Sequence, residues 1–316
     1  MKGLSGAISE NKGKADAAVN EYFEKGVELV ESGEFDSAIN YFNKVIELKG
    51  EADASADDFG YRGTAYWQLG NYDNAICDLT TAIELMDTDD ADAYYLRGNA
   101  YYEHGDYNKA ISDLTKAIEL RDTGSAGDYF YRGLSYFENG NYDRVVGDMT
   151  KAIRLSNEEA ADPYFWRGLA YGARDEYDAA ASDLTKAIEL RDEETANDYH
   201  FRGRVFNGLG NYDNAVRDIT RAIELRDEAD TNDYCWRGVA YYNGGDYNNA
   251  INDIDTALQI DPSNAAAQEF RNEMTNRSIQ QAAPQSSGSD LLKGIGTIAA
   301  GFVGGILLGL LGDRDR

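Results

Sequence analysis

Cysteine, proline, histidine and positive charge are what this chain has least of. Its two cysteines, Cys77 and Cys235, lie far apart with no C-x-x-C spacing. That argues against a disulfide framework or a thiolate zinc site and suits a reducing compartment. The three prolines, Pro163, Pro262 and Pro284, leave long stretches free for helix, which proline interrupts. Basic side chains number 30 against 57 acidic ones, a formal net charge of −27. A field of that sign repels phosphates, so nucleic acid is not an expected partner. It also disfavours docking of the body to an anionic membrane surface. Basic or apolar protein segments are the natural complement.

Chemistry-bearing patterns are equally scarce. His104 and His200 have no Cys, His or carboxylate partner at metal-ligand spacing. Phosphate-binding loops and nucleophile elbows are absent. The acidic run from Asp87 to Asp92 lacks the glycine and terminal glutamate of a calcium loop. The expectation is therefore a protein that is not an enzyme and needs no cofactor or metal. No apolar run follows Lys2, so no cleavable secretory signal is expected and the body is predicted to stay in the cytoplasm.

What is present is repetition, the first thing to seek in such a chain. Arg-Gly recurs at Arg62-Gly63, Arg97-Gly98, Arg132-Gly133, Arg167-Gly168, Arg202-Gly203 and Arg237-Gly238, every 35 residues. A divergent copy has Lys25-Gly26. Three residues after each Arg-Gly glycine stands an aromatic: Tyr66, Tyr101, Tyr136, Tyr171, Phe206 or Tyr241. Twelve after comes alanine, with Val145 the exception. Nineteen after comes alanine in every copy, from Ala82 to Ala257. Small residues at fixed places let helices approach, and aromatics fill the gaps beside them.

Each unit reads as two helices. Tyr94, Gly98 and Tyr101 share one face of the first. Gly105 is placed to end it in the left-handed conformation. Ala110, Ile111, Leu114, Ala117 and Ile118 form the apolar stripe of the second. Asp162-Pro163 reads as an N-cap followed by a first-turn proline.

This pattern resembles the tetratricopeptide repeat (TPR) over residues 19–265. The run from Tyr94 to Tyr101, then Gly105 to Ala110, then Leu114 and Ala117, carries its signature. The resemblance implies an all-α fold, an α-solenoid forming a right-handed superhelix of helix-turn-helix units, and a non-catalytic scaffold or adaptor role. Departures are the 35-residue period, a closing proline only at Pro262, and Arg174-Asp175-Glu176 in place of a turn glycine. Pentatricopeptide repeats share the period but bind RNA, and the charge and small-residue positions argue against them.

The resemblance also implies that ligands lie along the first helices. Residues three before, one after and four after each glycine share that face. Trp67, Tyr95, Asn99, Tyr102, Phe130, Leu134, Phe137, Phe165 and Leu169 are the resulting partner-binding candidates, an aromatic groove for a basic or apolar peptide. The lysines that hold a chaperone's C-terminal carboxylate in some relatives have no counterpart here. The repeated Arg, with an Asp fifteen residues after each glycine, predicts structural ion pairs at Arg97, Arg132, Arg167 and Arg202.

Residues 1–18 are read as an arm or helix, 266–282 as a capping helix, 283–290 as a flexible linker and 313–316 as a charged tail. Residues 291–312 are read as a glycine-rich apolar helix with no charge from Gly294 to Gly312. As a helix that stretch spans roughly 28 Å, near the bilayer's hydrocarbon thickness. It predicts a membrane anchor, with Gly301, Gly305 and Gly309 as a close-packing row for a homo-oligomer. The alternative is a soluble scaffold, or the regulatory subunit of an enzyme complex, whose tail binds a partner or its own groove.

Overall fold

The computed structural model describes residues 2–281, with side chains from 16 to 275. Among them there are fifteen helices and no strand. The chain divides into two compact units, Met1–Asn141 and Tyr142–Arg316. The first contains α1 (Lys2–Glu31), α2 (Phe35–Lys49), α3 (Ala56–Gln68), α4 (Tyr72–Leu85), α5 (Ala91–His104), α6 (Tyr107–Leu120) and α7 (Ala126–Glu138). The second contains α8 (Tyr142–Leu155), α9 (Ala161–Ala173), α10 (Tyr177–Leu190), α11 (Ala196–Gly208), α12 (Tyr212–Leu225), α13 (Thr231–Asn243), α14 (Tyr247–Ile260) and α15 (Ala265–Gln281). Each unit is a stack of α-helical hairpins, a solenoid in which every hairpin buries one face on the next.

Sterics explain the recurrent small residues. A Cβ on Gly98 would sit 2.8 Å from Leu114 Cγ, and one on Gly203 would sit 2.6 Å from Ile219 Cγ1. The glycine lets the second helix press its Leu or Ile against the first helix's backbone. Ala75, Ala110, Ala180, Ala215 and Ala250 are fully buried, as are the alanines seven residues later. Val145 fills the exceptional position and is also fully buried.

Turns follow the same economy of shape. Gly70, Gly105, Gly140, Gly210 and Gly245 end the first helices with positive φ. Where the sequence lacks that glycine, Asp175 takes φ 60°. Aspartate tolerates this region better than most residues but not freely. One boundary differs from expectation. Ala160, not Asp162, is the N-cap of α9, so Asp162 and Pro163 both lie in its first turn. Proline fits there because first-turn N–H groups have no intrahelical partner.

The predicted Arg–Asp pairing is present and does more than expected. Within units, Arg62–Asp78, Arg97–Asp113, Arg167–Asp183, Arg202–Asp218 and Arg237–Asp253 are bidentate, with Nε to Oδ2 at 2.6–2.7 Å. A third nitrogen reaches back to the previous hairpin. Arg97 Nη1 donates to Thr80 at 3.2 Å, Arg132 to Thr115 at 3.1 Å, Arg167 to Thr150 at 2.9 Å and Arg237 to Thr220 at 3.2 Å. Each guanidinium therefore ties two hairpins together, and planar bidentate geometry is why arginine rather than lysine holds this position.

A second set of ties escaped sequence reasoning. Asp58, Asp128, Asp198 and Asp233, all buried at the start of first helices, pair with Lys49, Arg121, Arg191 and Arg226 from the end of the preceding second helix. The corresponding positions elsewhere hold Met86 with Ala93 and Ser156 with Pro163. At the C-terminal end, Ala267, Phe270 and Met274 of α15 cover the apolar face of α13 and α14. Arg271 pairs there with Asp255 at 2.6 Å.

No helix among the described residues is long and apolar enough to cross a membrane. The anchor predicted at 294–312, with Gly301, Gly305 and Gly309, lies outside the described residues.

Candidate peptide-binding face

The first helices carry the predicted face, and burial sorts its members. Tyr102 and Phe137 are 2% exposed, Leu134 and Phe165 6%, and Leu169 7%. Tyr102 and Phe137 thus offer a partner almost no surface. Trp67, Tyr95 and Phe130 remain partly exposed. Asn99 is fully buried, and neither atom of its amide has a hydrogen-bond partner; Trp67 Nε1 is likewise unpartnered.

Tyr131 organises this face in the first unit. Its ring lies edge-on to Tyr95 and Tyr102 at 6.0 Å each and to Phe130 at 5.6 Å. Burial pushes the Tyr131 phenol pKa above its ordinary value. Tyr131 stands two residues before its repeat glycine, a position sequence reasoning passed over. The signal was available: Tyr61, Tyr131, Trp166, Phe201 and Trp236 recur there at multiples of 35 residues.

In the second unit the same face opens into a cavity of about 130 Å³ between α9, α11 and α13. Leu169, Phe201, Val205 and Trp236 give it apolar walls, with Arg204 and Asn207 as polar members. Its cause is local. Four residues after the repeat glycine, where Tyr102 and Phe137 fill the first unit, stand Gly172 and Asn207. A Cβ on Gly172 would find its nearest neighbour, Val205 Cγ2, at 3.7 Å, an ordinary contact with no clash. Of the predicted residues only Leu169 lines this cavity.

Arg204 is unusual. Its guanidinium lies 4.4 Å from the Trp236 ring centroid and 5.3 Å from that of Phe201. Its Nε is buried without a hydrogen-bond partner. Burial alone pulls its pKa down to about 10. The rings return part of the lost hydration through their quadrupoles. Asn207 Oδ1 accepts from Asn243 Nδ2 at 3.1 Å, which commits the oxygen and leaves the amide's donors. The cavity wall is thus rich in donors and has no carboxylate.

Beside it, His200 is buried with Nδ1 against Asp233 Oδ1, while Arg226 Nε donates to Asp233 Oδ2 at 2.6 Å. Burial lowers the His200 pKa more than Asp233 raises it, so the neutral ring donates Nδ1–H to the carboxylate. Burial alone would raise the Asp233 pKa, but His200 and Arg226 hold it below the usual range. At Asp198, the counterpart of Asp233 one repeat earlier, Phe165 stands where the histidine would be, and Asp198 Oδ1 has no partner. Cys235 is buried with its thiol pKa pushed up to about 12, so it is no ready nucleophile.

Stacked hairpins joined by recurrent ion pairs define a helical-repeat scaffold of the kind that binds other proteins. Models of the tetratricopeptide repeat match residues 91–123 and 232–264, 23–79 and 130–195, and 199–228, and a TPR repeat model matches 63–105. The chain belongs to the tetratricopeptide-repeat family, in general one of non-catalytic protein-interaction scaffolds. No curated protein matches it.

Similar solved structures share its fold. The C-terminal part of a TPR repeat-containing protein from Cytophaga hutchinsonii is 24% identical, covering 78% of this chain and 98% of that one, with a TM-score of 0.60. YrrB, described as a TPR protein with an unusual peptide-binding site, is 23% identical over 61% of this chain and 97% of its own, with a TM-score of 0.53. The APC/C hetero-tetramer Cut9–Hcn1 gives 17% identity over 80% of this chain, with a TM-score of 0.59. This chain covers only 48% of that last protein.

Proposed function

We propose that this chain is a scaffold that holds an extended or helical protein segment, apolar and basic in character, against its first helices. The observation that carries the reading is the apolar cavity beside Gly172, on the face predicted to bind. Trp67, Tyr95 and Phe130 give the first unit exposed aromatic surface of the kind that anchors partners. The charge of −27 steers a basic segment toward the body. The reading is tested by selecting peptides from a random displayed library on the full chain. Gly172→Leu, which fills the cavity, is expected to weaken the selected peptides by at least about tenfold, some 1.4 kcal/mol. Peptides that bind the filled variant equally well defeat the cavity as a binding site.

Attachment to a membrane through residues 294–312 belongs to the same proposal and rests on their uncharged, apolar sequence. Carbonate extraction of cell membranes tests it. The full chain is expected to stay in the pellet while a chain ending at Gly288 is released; release of both removes the anchor.

A further inference from the structure

We infer that the cavity between α9, α11 and α13 is a carboxylate subsite, in which Arg204 takes the glutamate side chain of a bound protein segment. The inference rests on the scaffold reading above and names the chemistry one part of its partner must carry. Arg204 Nε is buried and meets no hydrogen-bond acceptor, and no carboxylate lines the cavity. By contrast the repeat arginines of the second unit, Arg167, Arg202 and Arg237, are each matched by a bidentate aspartate. Arg204 as a whole is half-buried, with its Nε inside and without a counter-ion, so a carboxylate partner restores interaction that burial of the Nε has removed.

The surroundings specify what the partner looks like. The guanidinium lies over both the Trp236 and Phe201 rings, which do not compete for its donors as a carboxylate would. Asn207 adds an amide donor, and no acidic side chain lines the cavity to compete. Leu169 and Val205 give the walls apolar surface, which suits the methylene stem of glutamate below a charged head. The cavity sits against three successive first helices, so an extended segment crosses it rather than ending in it. An internal side chain is therefore the source of the carboxylate. The field of −27 charges requires the rest of the segment to be neutral or basic, which makes one embedded glutamate, not an acidic run, the fitting ligand.

Peptides selected on the full chain from a random twelve-residue library are the probes. Those that Gly172→Leu displaces are expected to carry a glutamate next to an apolar residue. Changing that glutamate to glutamine in the peptide should weaken binding to the wild-type chain by about tenfold or more. Arg204→Met should remove the difference between the two peptides, and Arg204→Lys should restore part of it. Quenching of tryptophan fluorescence, with Trp236 at the site, gives the titration. The peptide substitution needs no altered protein, so it decides the matter even where Arg204→Met fails to fold. Peptides that bind at the cavity with glutamate and glutamine equally overturn the carboxylate subsite and leave the scaffold reading standing. Peptides whose preference is for a C-terminal carboxylate overturn the glutamate assignment. A library from which nothing is displaced by Gly172→Leu overturns both readings.

Discussion

In Met1–Asn141 the position four residues after each Arg-Gly glycine holds Trp67, Tyr102 and Phe137; in Tyr142–Arg316 it holds Gly172, Asn207 and Tyr242. The backbone plan is the same in both units, and so are the Arg–Asp ties that hold successive hairpins. Only the side chains on the first-helix face differ. Tyr102 meets Tyr131, and it and Phe137 are 2% exposed, so the face is filled there. Where glycine and asparagine stand, a cavity of about 130 Å³ remains, with a cation at its side. A repeat array can thus vary its surface without touching the contacts that stack it, because the two sets of positions lie on different sides of the same helix.

The comparison can be broken most sharply from the filled side. Tyr102→Ala removes a ring that is 2% exposed and should cost about 3–5 kcal/mol, read from urea denaturation of the full chain. A loss under about 1 kcal/mol would mean that the ring is not packing the face.

Acid probes the other unit. The folded pKa of His200 lies below its ordinary value, so the unfolded chain binds the proton more readily. The stability this gives is present above about pH 6.5 and is lost as pH falls toward the folded pKa, at up to about 1.4 kcal/mol per pH unit. Asp233, also lowered, acts in the same direction at still lower pH. Urea midpoints between pH 7 and pH 5 should fall, and His200→Phe, which places there the residue found at Phe165, should flatten the fall in that window. An unchanged slope would remove the histidine from the account.

The smallest effect has the opposite sign. Gly172→Ala adds a methyl at ordinary contact distance, 3.7 Å from Val205, in the last turn of α9. It should raise stability by about 0.5–1 kcal/mol, because glycine loses more chain entropy on folding than alanine. A lower melting temperature would show that the cavity wall is tighter than its geometry indicates.

The repeat was legible because packing constrains it. Gly98, Ala110 and Ala117 are dictated by the approach of two backbones, and such constraints recur at every period. The Arg–Asp pairs were legible for the same reason. The arginine's third bond, to Thr80, Thr115, Thr150 or Thr220, was not, because it joins helices of different hairpins, although the threonine recurs every 35 residues. Along the candidate face, sequence spacing placed residues on the correct side of the helix but could not tell a buried ring from an exposed one. Tyr102 and Phe165 therefore counted as anchors although they pack. Gly172 and Arg204 were on that face too, yet a site defined by an absent side chain gives no aromatic signal.

The threonine bonds carry a consequence for how each unit comes apart. A guanidinium that grips its own hairpin by two bonds and its predecessor by one makes neighbouring hairpins energetically dependent on each other. In a linear array such dependence sets how sharply the whole melts. A terminal hairpin is held from one side only, whereas opening an interior one breaks contacts on both sides. Unfolding should therefore begin at the ends and travel inward. Amide exchange should be slowest on the inner hairpins of each unit, with α15 and its Arg271–Asp255 pair slowing the fraying of the last.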